Sequence, residues 1–194
     1  MKITLIDGSP RKNGLISQIM SIMQQEAEEL GAEASIIKVS SLQLTPCKGC
    51  MICRKSKRCV LPEDGAQQVL KEIQQSDALV VGSPCNWGNM NGYLKVMFDR
   101  MVYGLMDENK YGMPLPLHKG KKCIIVSTCT TPWPFNILLR QSQGTVRALK
   151  EILKYSGFSL VSTFQKGNTR QHQQLTAAEV RTLKKRIRKL IPHN

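Results

Sequence analysis

The sequence contains no apolar run long enough to cross a membrane, because Asp, Lys, Gly or Pro interrupts every candidate. It opens on MKITLIDGSP, whose short apolar run is closed at Asp7, so it lacks the hydrophobic stretch of a secretory leader. These two absences predict a cytoplasmic chain whose thiols stay reduced. Acids are scarce: 14 Asp and Glu face 28 Lys and Arg, a net charge of +14. Aromatic residues reach only 5%, and no aromatic or motif signal for nucleic acid accompanies the charge. Cysteines number seven, an odd count that fits a disulfide framework poorly and points to metal or redox chemistry. Linkers, internal repeats and low-complexity segments are also missing, so residues 1–194 read as a single domain with a full core.

What is present is an alternation of strands and helices. KITLID (2–7), ASIIKV (34–39), DALVVGS (77–83), KCIIVST (122–128) and FSLVSTF (158–164) read as five strands. Helical spacing marks 15–30, about 64–75, the stretch holding Tyr93, Leu94, Met97, Phe98 and Met101, and 137–155. A last helix, 176–190, opens on a capping box of Thr176 and Glu179 and is strongly basic between Arg181 and Lys189. That run reads either as a solvated face or as part of a surface for anionic ligands. Strands interleaved with helices predict a doubly wound five-stranded parallel sheet, order 2-1-3-4-5, with helices on both faces. Ligands then bind beyond the strands' C-terminal ends, where the strand order reverses.

The loop DGSPRKNGLIS (7–17) joins strand 1 to its helix. Its glycines at 8 and 14 do not make a Rossmann fingerprint, and Gly-Lys-Ser/Thr of a Walker loop is missing. No cysteine stands six positions before an arginine, which excludes tyrosine-phosphatase chemistry. Small residues, an arginine and a helix N-terminus suit a phosphate; the alternative is an ordinary capped turn. The loop GSPCNWGNMNGYLKVMFDR (82–100), rich in Gly and Asn, suits a flat heterocycle beside Trp87, or else a turn capping the helix from Asn91.

Together the two loops resemble those of the flavodoxin-like NAD(P)H-dependent FMN reductase superfamily, and especially its iron–sulfur flavoprotein branch. GSPRKNG resembles the FMN phosphate loop, and SPCNWGNMNGYLKVMFDR the isoalloxazine loop; the likeness runs in order over residues 1 to about 165. It implies that Ser9, Arg11, Asn13 and Ser17 hold the phosphate. Pro84, Asn86, Trp87, Gly88, Asn89 and Met90 would line the ring, and Thr128, Thr130 and Thr131 would meet its pyrimidine edge. Leu15-Ile16 replaces the family's usual Asn-Thr, leaving backbone amides as phosphate donors there, and Asn86 replaces its usual Tyr.

Cys47, Cys50, Cys53 and Cys59 lie in the loop 44–65 with spacing tighter than a zinc ribbon. The run resembles [4Fe–4S] ligand sets, with zinc, vacant thiols or a labile disulfide as the other readings. Its Lys and Arg residues would offset a negative cluster and receive an acidic electron carrier. Cys85, Cys123 and Cys129 read as core or near-site residues. Trp133, between two prolines, reads as a wall of the flavin pocket, with mere closure of the sheet as the alternative; 103–121 reads as a long loop serving as lid or dimer contact, and His118 as solvent-facing. His172 and His193 lie in polar tails.

The resemblance implies an FMN-dependent oxidoreductase to which NAD(P)H delivers hydride, with electrons passing to a small-molecule or protein acceptor, directly or through a cluster. The cofactor does the chemistry, so no catalytic side chain is expected. Relatives are dimers or tetramers, so a homodimer or homotetramer is expected. The alternatives are a quinone or azo-compound reductase with a vacant cysteine loop, and a non-catalytic electron-transfer or nucleic-acid-binding module.

Overall fold

Apolar runs of strand length recur between amphipathic helices along the chain, and the computed structural model, which describes residues 1–192, pairs them as parallel strands. His193 lies outside the described residues. The elements are β1 (Lys2–Asp7), α1 (Leu15–Glu29), β2 (Glu33–Lys38), α2 (Cys53–Ser56), α3 (Gly65–Gln75), β3 (Ala78–Pro84), α4 (Gly92–Asp99) and α5 (Val102–Leu105). They continue with β4 (Met106–Glu108), β5 (Pro114–Pro116), β6 (Lys122–Thr128), α6 (Phe135–Leu138), α7 (Gln141–Ser156), β7 (Ser159–Lys166) and α8 (Ala177–Ile187). The main sheet has the order β2-β1-β3-β6-β7. Since β6 and β7 are its fourth and fifth strands, this is the expected flavodoxin-like order.

The central strands are apolar on both faces because both are covered. Leu79, Val81, Cys123 and Ile125 pack against Val69 and Ile73 of α3, Leu94 and Met97 of α4, and Leu149 and Leu153 of α7. Ala78, Val80, Ile124 and Val126, one residue out of phase, pack against Ile16, Ile19, Met20 and Met23 of α1 and Leu183 and Ile187 of α8. Each fully buried Ile or Leu contributes about 1.5–3 kcal/mol. Glu26 of α1, itself buried, pairs with Lys184 at 2.7 Å and Arg188 at 2.6 Å. Part of the basic C-terminal run is therefore neutralised within the chain. The capping box at Thr176 is present, but the helix it starts ends at Ile187, earlier than expected.

Two readings of the sequence need correcting. The stretch 103–121 is not a plain loop: it holds α5 and an antiparallel hairpin, β4 with β5. Strands of three residues, one of them Pro-Leu-Pro, carry too little alternation to be seen in sequence. His118 does not face solvent. It is 4% exposed and stacks on Phe158 with ring centroids 5.2 Å apart.

Candidate functional site

The C-terminal ends of β1, β3 and β6 open into a cavity of about 540 Å³ at the reversal of strand order. The β1–α1 loop forms one end. The Gly8 N–H donates to the Gly82 carbonyl at 2.8 Å, and a Cβ at Gly8 would stand 2.8 Å from that oxygen, so the loop can approach β3 only with glycine there. Asp7, buried, accepts from the Ser9 N–H at 2.8 Å and from Lys38 Nζ at 2.8 Å. Ser17 Oγ donates to Asp7 at 2.5 Å, so this hydroxyl supports the loop from behind. Helix α1 begins after Gly14 with no side-chain cap and no acid in its first turn. Gly14, Leu15 and Ile16 line the cavity beside Ser9, Arg11 and Asn13. An uncapped helix start with a guanidinium at its mouth attracts an anion.

The opposite wall comes from the β3–α4 loop. Asn86 and Asn89 exchange backbone hydrogen bonds of 2.9 and 3.0 Å around Trp87 and Gly88, both at positive φ (52° and 71°). This is the geometry of a tight hairpin turn. Helix α7 clasps the turn: Thr145 Oγ1 donates to the Asn89 carbonyl at 2.9 Å, and a Cβ on Gly144 would stand 1.7 Å from the Gly88 carbonyl oxygen. Pro84, Cys85 and Asn86 face the cavity, joined by Thr128 at the end of β6, Cys129 and Thr130 just after it, and Thr169 and Gln173 after β7.

Of the residues expected to hold a flavin, Ser9, Arg11, Asn13, Pro84, Asn86, Thr128 and Thr130 line this cavity. Trp87 projects wholly into solvent, and Met90 is buried in the core. Ser17, Gly88, Asn89 and Thr131 do not reach the cavity surface; Gly88 and Asn89 shape the turn that does. Trp133 is 77% exposed and is not part of the wall. Thr169 and Gln173 had no sequence signal, because they follow β7, two strands from the reversal of strand order.

The cysteine loop lies elsewhere, and none of residues 44–65 lines the cavity. Its two ends are fastened by Arg100, whose guanidinium donates to the Thr45 carbonyl at 2.8 Å, the Pro62 carbonyl at 2.9 Å and Cys59 Sγ at 3.3 Å. Arg54 and Lys57 of this loop pair with Glu108 and Asp107 of the hairpin. Cys47 and Cys50 are exposed, Cys53 and Cys59 half-buried, and all are unpaired. Burial pushes the Cys53 thiol up, and the charges of Cys59, Cys47 and Cys50 add to it. Among the described residues no three His, Cys, Asp or Glu side chains converge as ligands of a single ion. A second cavity of about 450 Å³ runs between Leu44 and Pro46 of this loop and Asn91, Gly92 and Tyr93 at the start of α4. No described helix is long and apolar enough to cross a membrane.

A family model described as NADPH-dependent FMN reductase matches residues 1–165. An iron-sulfur flavoprotein of Methanosarcina thermophila is 35% identical over 102 residues, 53% of this chain and 53% of that protein. One of Clostridioides difficile is 31% identical over 130 residues, 66% of this chain and 54% of that protein. The chain thus spans about half the length of the curated relatives it matches. Among solved structures, azoreductase AzrA superposes with a TM-score of 0.76 at 13% identity, over 97% of this chain and 100% of that one. An FMN-dependent NADH-azoreductase from Bacillus anthracis, in complex with FMN, gives 0.74 at 12% identity, over 98% and 99%. At such identities these likenesses speak for the fold.

Proposed function

The chain belongs to the NADPH-dependent FMN reductase family, and from that premise we propose that it binds FMN in the β1–β3–β6 cavity and works as an NAD(P)H-dependent oxidoreductase. One observation carries the reading: the cavity has an uncapped helix start with Arg11 at one end and a polar wall of Asn86, Thr128 and Thr130 at the other. Its volume lies within the range of about 300–1,000 Å³ usual for cofactor-sized ligands. Arg11 and the first-turn amides of α1 take the phosphate; Ser9 and Asn13 complete the cradle. The Asp7–Lys38–Ser17 network holds that loop in shape. Pro84, Asn86 and Thr128 orient the ring, and α7 keeps the 86–89 turn against it. Bound FMN supplies the two-electron chemistry between the nicotinamide and the acceptor, so no side chain is required as acid or base.

For the cysteine loop, the reading we favour is a [4Fe–4S] site of Cys47, Cys50, Cys53 and Cys59. Four unpaired cysteines within one short loop, two of them exposed, supply the thiolates a cluster needs, and the relatives named iron-sulfur flavoproteins support the reading. Because the loop does not line its own chain's cavity, such a site serves the flavin of a neighbouring subunit in a cytoplasmic homodimer or homotetramer. The acceptor is then a small molecule or a protein.

Anaerobic purification with an absorption spectrum, an FMN titration and iron and sulfide analysis tests both readings. Flavin absorption or saturable FMN binding is expected; neither appearing removes the flavin reading. Iron and acid-labile sulfide far below the content of one cluster per chain remove the cluster alone.

A further inference from the structure

Cys85 and Cys129 are two thiols for which the flavin reading has no task. β3 and β6 pair in unbroken register from Ala78↔Lys122 to Pro84↔Thr128, and the last rung is the Cys85 N–H to the Thr128 carbonyl at 2.7 Å. Cys85 and Cys129 come next on the two strands, which lie roughly 4.8 Å apart. That spacing falls within the Cα separation of roughly 4.4–6.8 Å that a disulfide spans. Both continue the series Leu79, Val81, Cys123, Ile125 that faces α7. Cys85 Sγ donates to the Gln141 carbonyl at the start of α7 at 2.9 Å, and Cys129 Sγ, beside it, to the Thr131 carbonyl at 3.7 Å. Both line the cavity, Cys85 the more openly.

We propose that Cys85 and Cys129 are a redox-active dithiol in the cavity wall that closes reversibly to a disulfide by exchange with a low-molecular-weight disulfide of the glutathione class. The Cys85 thiolate attacks one sulfur of the incoming disulfide, forming a mixed disulfide and expelling one thiolate. Cys129 then attacks the Cys85 sulfur, breaking the mixed bond and expelling the second. The two protein thiols lose two electrons and two protons, and the small disulfide gains them as two thiols. Burial and the charge of the neighbouring Cys85 push the Cys129 thiol up, and hydrogen bonds from Thr131 and Ser142 offset this only in part. Cys123, buried and pushed up to about 12, takes no part. A disulfide facing an open cavity belongs to the readily reduced kind. The pair's chemistry needs no flavin, so it stands or falls apart from the proposed function.

The test equilibrates the full chain as purified, before FMN is added, in buffers of oxidised and reduced glutathione, then alkylates free thiols and maps peptides by mass spectrometry. Expected is a Cys85–Cys129 link that rises with the oxidised fraction and is fully reversed by dithiothreitol. Cys129→Ser should instead trap a glutathione adduct on Cys85. The wild-type map needs no variant to fold. Free, alkylated Cys85 and Cys129 in buffers that oxidise the loop cysteines would overturn the proposal, as would links joining either thiol to Cys47, Cys50, Cys53 or Cys59. A link that forms in protein unable to bind FMN would leave this inference standing and remove the flavin reading.

Discussion

Arg100 donates to the Asp64 carboxylate at 2.6 Å from a side chain with no exposed surface, and this pair fastens the two ends of the cysteine loop to α4. Burial pushes the Asp64 carboxyl up, but the Thr45 and Ala66 amides and the Arg100 guanidinium outweigh it and hold the group below its ordinary value. Arg100→Ala leaves that carboxylate buried without its cation, a loss of about 3–5 kcal/mol. The urea midpoint should drop accordingly, and trypsin should cut sooner among Arg54, Lys55, Lys57 and Arg58. A wild-type midpoint and cutting rate would show that the loop is held by something else.

Arg11 lines the cavity at the open start of α1, where we propose that the phosphate binds. Losing one charge-assisted hydrogen bond there costs about 1.5–3 kcal/mol, so Arg11→Ala should weaken FMN roughly 10- to 100-fold. Fluorescence titration reads this directly, and unchanged affinity would put the phosphate elsewhere.

Gly144 lets α7 touch the Gly88 carbonyl, and any Cβ there collides with backbone that cannot swing aside. Gly144→Ala should push the 86–89 turn outward and weaken FMN by about 10-fold or more, with about 1–3 kcal/mol lost in stability. Gly92, whose Cβ would meet open space, provides the control. Equal effects from both changes would refute the clasp.

His118 is held below its ordinary value near 6.5, first by burial and then by Lys121, against the pull of the Gly104 carbonyl. The fold therefore favours the neutral ring, while the unfolded chain takes up the proton at higher pH. The stability contributed is complete above the ordinary value and is lost as pH falls through it toward the folded value. The melting temperature should fall from about pH 7.5 to about pH 5.5, and His118→Gln should flatten that slope. An identical slope in the variant would clear His118 of the effect.

Much of the fold was legible because its signals are local. The two-sided apolar strands and the box of Thr176 with Glu179 both depend on residues a few positions apart. The hairpin of β4 and β5 was not, since three-residue strands interrupted by proline show no period. At the site, Ser9, Arg11 and Asn13 could be named from their loop. Ser17 carries the same chemistry on the same loop, yet its hydroxyl turns to Asp7, a choice set by a buried carboxylate that also needs Lys38.

By itself the sequence determined the order of strands and helices and the loops that flank the cavity, because periodicity and turn chemistry act over neighbouring residues. Only the tertiary structure decided which side chains meet. The register of β3 on β6 brings Cys85 beside Cys129, and helix α7 pins the turn that leaves Trp87 in solvent. Packing buries His118 against Phe158 and closes the cavity with Thr169 and Gln173. Those contacts join segments far apart in the chain, and burial and hydrogen bonding between them have no counterpart in local spacing.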